Sequence, residues 1–145
     1  MQVTDGVTID APIERVWDVF SAVERWPEWT ASVTSLTLLE GTGVVPGARV
    51  RIKQPRFPHL VWEVTEVEPG VSWTWVSSSP GARTAATHLL SSRGPTSTRV
   101  EQIIEQTGPL GALVGRLTRR LTRRYLAMEA AGLRARAEAD VTSAA

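Results

Sequence analysis

His88, in the run RTAATHLLSS, is the side chain whose surroundings best fit it to do chemistry. Alternation along a strand puts it on one face with Ala86 and Leu90, so an imidazole stands among apolar neighbours. Such an imidazole either transfers a proton or orients a ligand's carbonyl, and its ordinary pKa of about 6.5 suits both tasks. The same alternation groups Trp62 with Val64, Trp73 with Trp75 and Ser77, and Val100 with Gln102 and Ile104; Val50, Ile52 and Gln54 form a further set. Indole walls with a few polar groups, here His88, Gln102, Gln54 and Ser77, are the usual make-up of a small-molecule site. The same residues would equally fill a core between a sheet and a helix. The pocket reading requires a cavity of at least about 300 Å³.

Other chemistries lack their residues. The chain has no cysteine, and its two histidines, His59 and His88, stand 29 positions apart with no HxxxH or HExxH spacing, so no metal is expected. No GxSxG elbow, Walker loop or GxGxxG follows a strand, which leaves hydrolytic nucleophiles and nucleotide cofactors without support; no cofactor is expected. A cyclisation or dehydration asks for little more than a shaped pocket and an acid/base, here His88 with Tyr125 or Gln102. His88 is the catalytic candidate, and the pocket argues for binding ahead of catalysis. His59, in PRFPH, is expected on a loop at the sheet's edge, with a role at the pocket's mouth as the alternative.

The elements that must position these groups follow from periodicity. Gln2–Asp10 reads as a strand, and DAPIERVWDVF opens a helix with Pro12 at its first position and Ile13, Val16, Val19, Phe20 and Val23 on one face. Pro27 in ERWPEWTAS predicts a break before a second short helix. Six strands follow, VTSLTLLE, ARVRIKQ, LVWEVTEVE, SWTWVSS, RTAATHLLSS and TRVEQIIEQ, separated by short turn clusters that demand antiparallel neighbours. From Gly108-Pro109 to about Asp140 the pattern is helical, a rod of roughly 45 Å, and the tail from about residue 140 is expected to fray. The result is an α+β fold, a seven-stranded curved antiparallel sheet covered by one long C-terminal helix, with two short helices after the first strand.

That last helix carries GRLTRRLTRRYLAMEA, with five arginines in nine residues. A helical projection puts Leu110, Leu113, Val114, Leu117, Leu121, Tyr125 and Met128 within an arc of roughly 120°, facing the sheet, and leaves the arginines in water. A charge run of this kind is a solvated face, so nucleic acid is not expected as a partner. The exposed arginine face beside Glu129 and Glu138 offers a surface for pairing with a second chain, a homodimer.

At 145 residues with 21% charged and 42% hydrophobic side chains, the chain suits one globular domain spanning residues 1–145. No stretch approaches the roughly 18 apolar residues of a membrane span, and the start lacks a basic or apolar leader, so a cytoplasmic location is expected.

The order of elements, together with VTIDAPIERVWDVFSAVERWPEWTASV, resembles the helix-grip fold of the START, Bet v 1 and polyketide cyclase superfamily (SRPBCC). The pattern small-Ala-Pro-x-x-x-Val-Trp ending at Trp17, followed by Trp-Pro-x-Trp at Trp26–Trp29, is similar to its bacterial polyketide cyclase/dehydrase-like branch, and the likeness runs from Val3 to about Glu138. The resemblance implies a largely apolar cavity between the sheet and the gripped helix. It also implies binding of a hydrophobic small molecule, lipid-, polyketide- or polycyclic-like, as carrier or sensor. Trp62, Trp73, Trp75, His88, Gln102, Leu117, Leu121 and Tyr125 would then contact the ligand. The alternatives are a polyketide cyclase/aromatase or dehydratase using the same pocket, and partner or polyanion binding through the arginine face.

Overall fold

The computed structural model describes the backbone of residues 2–144 and the side chains of residues 2–139. Strand β1 (Gln2–Ile9) leads into helix α1 (Ile13–Ser21), a 3₁₀ helix (Val23–Glu28), strands β2 (Ser35–Glu40), β3 (Arg49–Lys53), β4 (Leu60–Glu68), β5 (Ser72–Ser79), β6 (Ala82–Gly94) and β7 (Ser97–Thr107), and helix α2 (Gly111–Ala144). The seven strands form one antiparallel sheet in the order β1-β7-β6-β5-β4-β3-β2. Register irregularities in β2, β4 and β6 fall between Leu38 and Glu40, Val64 and Glu66, and Ser92 and Gly94. Such bulges bend strands and add to the curl of a sheet. Its register sets Trp73, His88, Gln102 and Asp5 side by side across β5, β6, β7 and β1.

Two short helices form as expected, but the break between them falls at Ala22, ahead of Pro27. Pro12 caps α1 in an extended conformation, one place earlier than the first helical position expected of it, and Thr98 Oγ1 donates to the Ala11 carbonyl at 2.8 Å. Pro27 lies within the 3₁₀ helix, where the tighter winding of a short segment tolerates it. These helices cover one part of the inner sheet face with Val16, Phe20 and Trp26, which pack on Trp73 and Leu90. Phe20 stacks on Trp26 with centroids 5.5 Å apart and meets Trp73 edge-on at 4.9 Å.

Helix α2 is rotated from the orientation expected of it by roughly one residue, or ~100°. Leu117 is 76% exposed, Leu113 53% and Leu110 47%. The buried stripe runs instead through Tyr125, Leu126, Glu129, Ala130, Leu133 and Ala137, continuing N-terminally through half-buried Thr118 and Thr122. Counting leucines located the face wrongly because the first half of α2 looks onto a cavity, where small and hydroxyl side chains leave room that leucines would fill. Thr118 is accommodated by donating its hydroxyl to the Val114 carbonyl at 2.7 Å. Arg116, Arg119, Arg120, Arg123 and Arg124 are all exposed. Leu117→Ser should therefore change stability by no more than about 0.5 kcal/mol in chemical denaturation. The tail expected to fray is helical as far as Ala144, and Ala145 lies outside the described residues.

Candidate functional site

Between the curved sheet and the first half of α2 lies a cavity of about 270 Å³. Strands β3 to β7 supply Ile52, Trp62, Trp75, Ala86, His88, Gln102 and Ile104, and α2 supplies Val114, Thr118, Thr122, Tyr125, Leu126 and Glu129. Trp26 reaches it from the 3₁₀ helix, and the β3–β4 loop adds Phe57 and Pro58. An apolar cavity of about 150 Å³ takes up benzene, so this one suits roughly two fused rings. The volume falls short of the roughly 300 Å³ required above, so the expectation of a pocket for large polycyclic or long-chain ligands is not met, and the cavity has room for a small ligand only.

Of the side chains expected at the site, Trp62, Trp75, His88, Gln102 and Tyr125 stand on the wall, as do Gln54 and Ser77. Trp73, Leu117 and Leu121 do not. Trp73 shares a face with Trp75 but lies under α1, 1% exposed, with Trp17 edge-on at 5.7 Å. Leu117 points into solvent and Leu121 is half-buried off the wall, both consequences of the rotation of α2. His59 is exposed in the β3–β4 loop and off the wall, while its loop neighbours Phe57 and Pro58 reach the cavity instead.

His88 is packed among aromatic rings at the cavity wall. Its ring stacks on Trp73 at 4.1 Å and meets Trp75 edge-on at 5.1 Å and Phe20 at 5.4 Å. Its Nδ1 lies 3.3 Å from the Trp73 carbonyl. Burial pushes its pKa down to about 3, and the carbonyl only partly opposes this. The ring is thus neutral at physiological pH. A neutral ring bonded to a carbonyl through Nδ1 carries its proton there, leaving Nε2 as an acceptor. A base this weak is poorly matched to proton abstraction near pH 7.

Glu129 is the acid in the wall. It is 6% exposed, and burial raises its pKa to about 8; a hydrogen bond from Ser32 opposes the shift and the charge of Asp5 adds to it. Ser32 in turn lies 2.7 Å from the Thr30 hydroxyl. Tyr125 is otherwise engaged: its phenol donates to the Pro55 carbonyl, and its ring meets Phe57 edge-on at 5.8 Å. The hydroxyl pins α2 to the β3–β4 loop, and Lys53 holds the same loop through the Gln54 and Phe57 carbonyls.

Against this geometry, comparison with known proteins is specific. The profile of the family described as "Polyketide cyclase / dehydrase and lipid transport" matches residues 1–138. The chain belongs to the polyketide cyclase/dehydrase and lipid transport family. A putative polyketide cyclase of Streptomyces halstedii is 31% identical over 81 residues, which are 56% of this chain and 63% of that protein, so the match spans less than two thirds of the relative. Among solved structures, the Zhui aromatase/cyclase from Streptomyces sp. R1128 superposes with a TM-score of 0.79 at 14% identity, covering 97% of this chain and 95% of that one. The protein TTHA0849 from Thermus thermophilus gives 0.76 at 22%, covering 97% and 99%. A START superfamily protein from Mycobacterium smegmatis gives 0.72 at 18%, covering 94% and 97%. These structures share the helix-grip fold with the present cyclase/dehydrase-family chain. Among its described residues no helix is long and apolar enough to cross a membrane.

Among the wall residues that sequence reasoning missed in this family member are Trp26, Thr118, Thr122, Leu126 and Glu129. The Trp-Pro-x-Trp motif was the available signal for Trp26. Glu129 gave none, because a glutamate beside a run of arginines reads as surface.

Proposed function

We propose that the chain binds a hydrophobic small molecule, about two fused rings in size, in the cavity between sheet and α2, acting as carrier or sensor. The observation that carries this reading is a cavity of about 270 Å³ walled by Trp26, Trp62 and Trp75 and furnished with neutral polar groups. A packed core has no use for a void, since unfilled space forfeits contacts on all its walls. The wall indoles make the test direct. Titration with N-phenyl-1-naphthylamine should change tryptophan fluorescence saturably, and Thr122→Trp, which fills the cavity from α2, should weaken binding by at least about 10-fold. A response that is linear, or unaltered in Thr122→Trp, would contradict the reading.

A second reading, supported by the family and by the Streptomyces halstedii relative, is a cyclase/aromatase or dehydratase working in the same cavity. Its test is turnover of a polyketide-like substrate with His88→Ala: collapse supports His88 as the acid/base, and unaltered turnover removes it. The depressed basicity of His88 favours binding ahead of this reading.

A further inference from the structure

The cavity wall contains no arginine or lysine among the described residues. Its polar inventory is His88, Glu129, Tyr125, three glutamines and several hydroxyls. A ligand carboxylate would therefore lose its water without meeting a cation, and burying an unpaired charge is among the largest penalties a site can impose. An uncharged ligand avoids that penalty and asks only for complementary donors and acceptors.

Glu129 is arranged to be a donor. The Ser32 hydroxyl has one proton; given to a Glu129 oxygen, it leaves the Ser32 oxygen to accept from Thr30 at 2.7 Å. Thr30 and Ser32 thus form a short chain that ends on one oxygen of the carboxyl group. That leaves the other oxygen as the place for an acid proton, and the side chain borders the cavity. On the β6 side the neutral His88 ring offers Nε2 as an acceptor, and Tyr125 has committed its own proton to Pro55.

We propose that Glu129, as the protonated acid, is the hydrogen-bond donor of the cavity, and that it selects an uncharged, roughly bicyclic ligand bearing a carbonyl or similar acceptor oxygen over the corresponding carboxylate. The proposal rests on the cavity-binding reading above. It adds a pH dependence to that reading. Deprotonation of Glu129 turns the donor into a buried anion that repels a carbonyl oxygen, so affinity for a ketone falls as pH rises through about 8. The titratable groups toward Glu129 from other elements are Asp5 of β1, whose charge raises the Glu129 pKa, and, across the cavity, His88 of β6, already neutral. From β7 the wall receives only uncharged side chains, Gln102, Ile104 and Gln106, and on α2 itself Tyr125 lies one turn earlier.

Equilibrium dialysis of the full chain against naphthalene, 2-acetylnaphthalene and 2-naphthoate, at about pH 6 and about pH 9, tests this. At the lower pH the ketone should bind at least about 10-fold more tightly than the carboxylate and several-fold more tightly than naphthalene. Its advantage over naphthalene should shrink at the higher pH. In Glu129→Gln, which keeps a donor that does not titrate, ketone affinity should be equal at the two pH values; in Glu129→Leu the advantage should vanish at both. If naphthalene binds and Thr122→Trp blocks it, but the ketone gains nothing or the carboxylate binds as well, Glu129 is not the donor and the cavity reading stands. If naphthalene itself fails to bind, both fall. The wild-type comparison needs no substituted protein, so a variant that fails to fold leaves the test intact.

Discussion

Replacing Gly132 by alanine should destabilise the protein by about 1–2 kcal/mol, although alanine is the better helix former. A Cβ built on Gly132 would stand 2.0 Å from the backbone oxygen of Trp29. Backbone cannot swing aside as a flexible side-chain end does, so α2 must move away from the segment that follows the 3₁₀ helix. The opposing effects have known sizes. Glycine in a helix interior is worse than alanine by about 1 kcal/mol, whereas overpacking a tight contact costs about 1–3 kcal/mol and occasionally more. The net sign is set by the oxygen, because displacing α2 there also strains the burial of Leu133 and Ala137, each 0% exposed. Chemical denaturation of Gly132→Ala at constant m-value measures it. Stability equal to or above that of the parent would show that the helix does not approach Trp29 so closely.

Stability measured against pH should show a plateau between about pH 4.5 and 6.5, with a loss of about 2 kcal/mol on each side, by pH 3 and pH 8. His88 has a folded pKa near 3 against 6.5 when unfolded, so below 6.5 the unfolded chain takes up a proton that the folded one refuses, and stability falls with falling pH. Glu129 has a folded pKa near 8 against 4.5, so above 4.5 the unfolded chain releases a proton that the folded one keeps, and stability falls with rising pH. Between 4.5 and 6.5 the two slopes cancel. Outside that window one of them acts alone. Exposed Glu28, whose carboxyl is held below its usual range by hydrogen bonds from Arg25 and Arg136, adds to the acid loss, so the alkaline limb is the cleaner reporter. Glu129→Gln should abolish that limb and hold its stability from about pH 6.5 to 8. An unchanged alkaline limb in Glu129→Gln would place the responsible proton elsewhere.

The sheet was legible in the sequence because each of its strands is marked twice, by alternation and by the turn that follows. The inner set at Val50, Ile52, Trp62, Val64, Trp75, Ala86, His88, Val100 and Gln102 emerges from period two alone, and antiparallel pairing follows from links too short for crossovers. The face of α2 was not legible, and Leu117 shows why. Helical periodicity finds the largest apolar stripe, but a helix bordering a cavity presents its small residues inward, so Thr118 and Thr122 outrank Leu113 and Leu117. Trp73 illustrates a different limit. Alternation reports which face a side chain takes and not how far along the strand the cavity extends; α1 covers Trp73 and leaves Trp75 open to the void. Glu129 is the deepest case, since its character comes from Ser32, Asp5 and the surrounding walls, all distant in sequence.

On the proposed reading, a neutral aromatic ligand occupies the space beneath Trp26, Trp62 and Trp75. Nuclear magnetic resonance of the six indole N–H groups during titration with 2-acetylnaphthalene addresses it most directly. The structure predicts large, saturable shifts at Trp26, Trp62 and Trp75, with smaller ones at Trp17, Trp29 and Trp73, which stand off the wall. Shifts that never saturate, or that are largest at Trp17, Trp29 and Trp73, would contradict it.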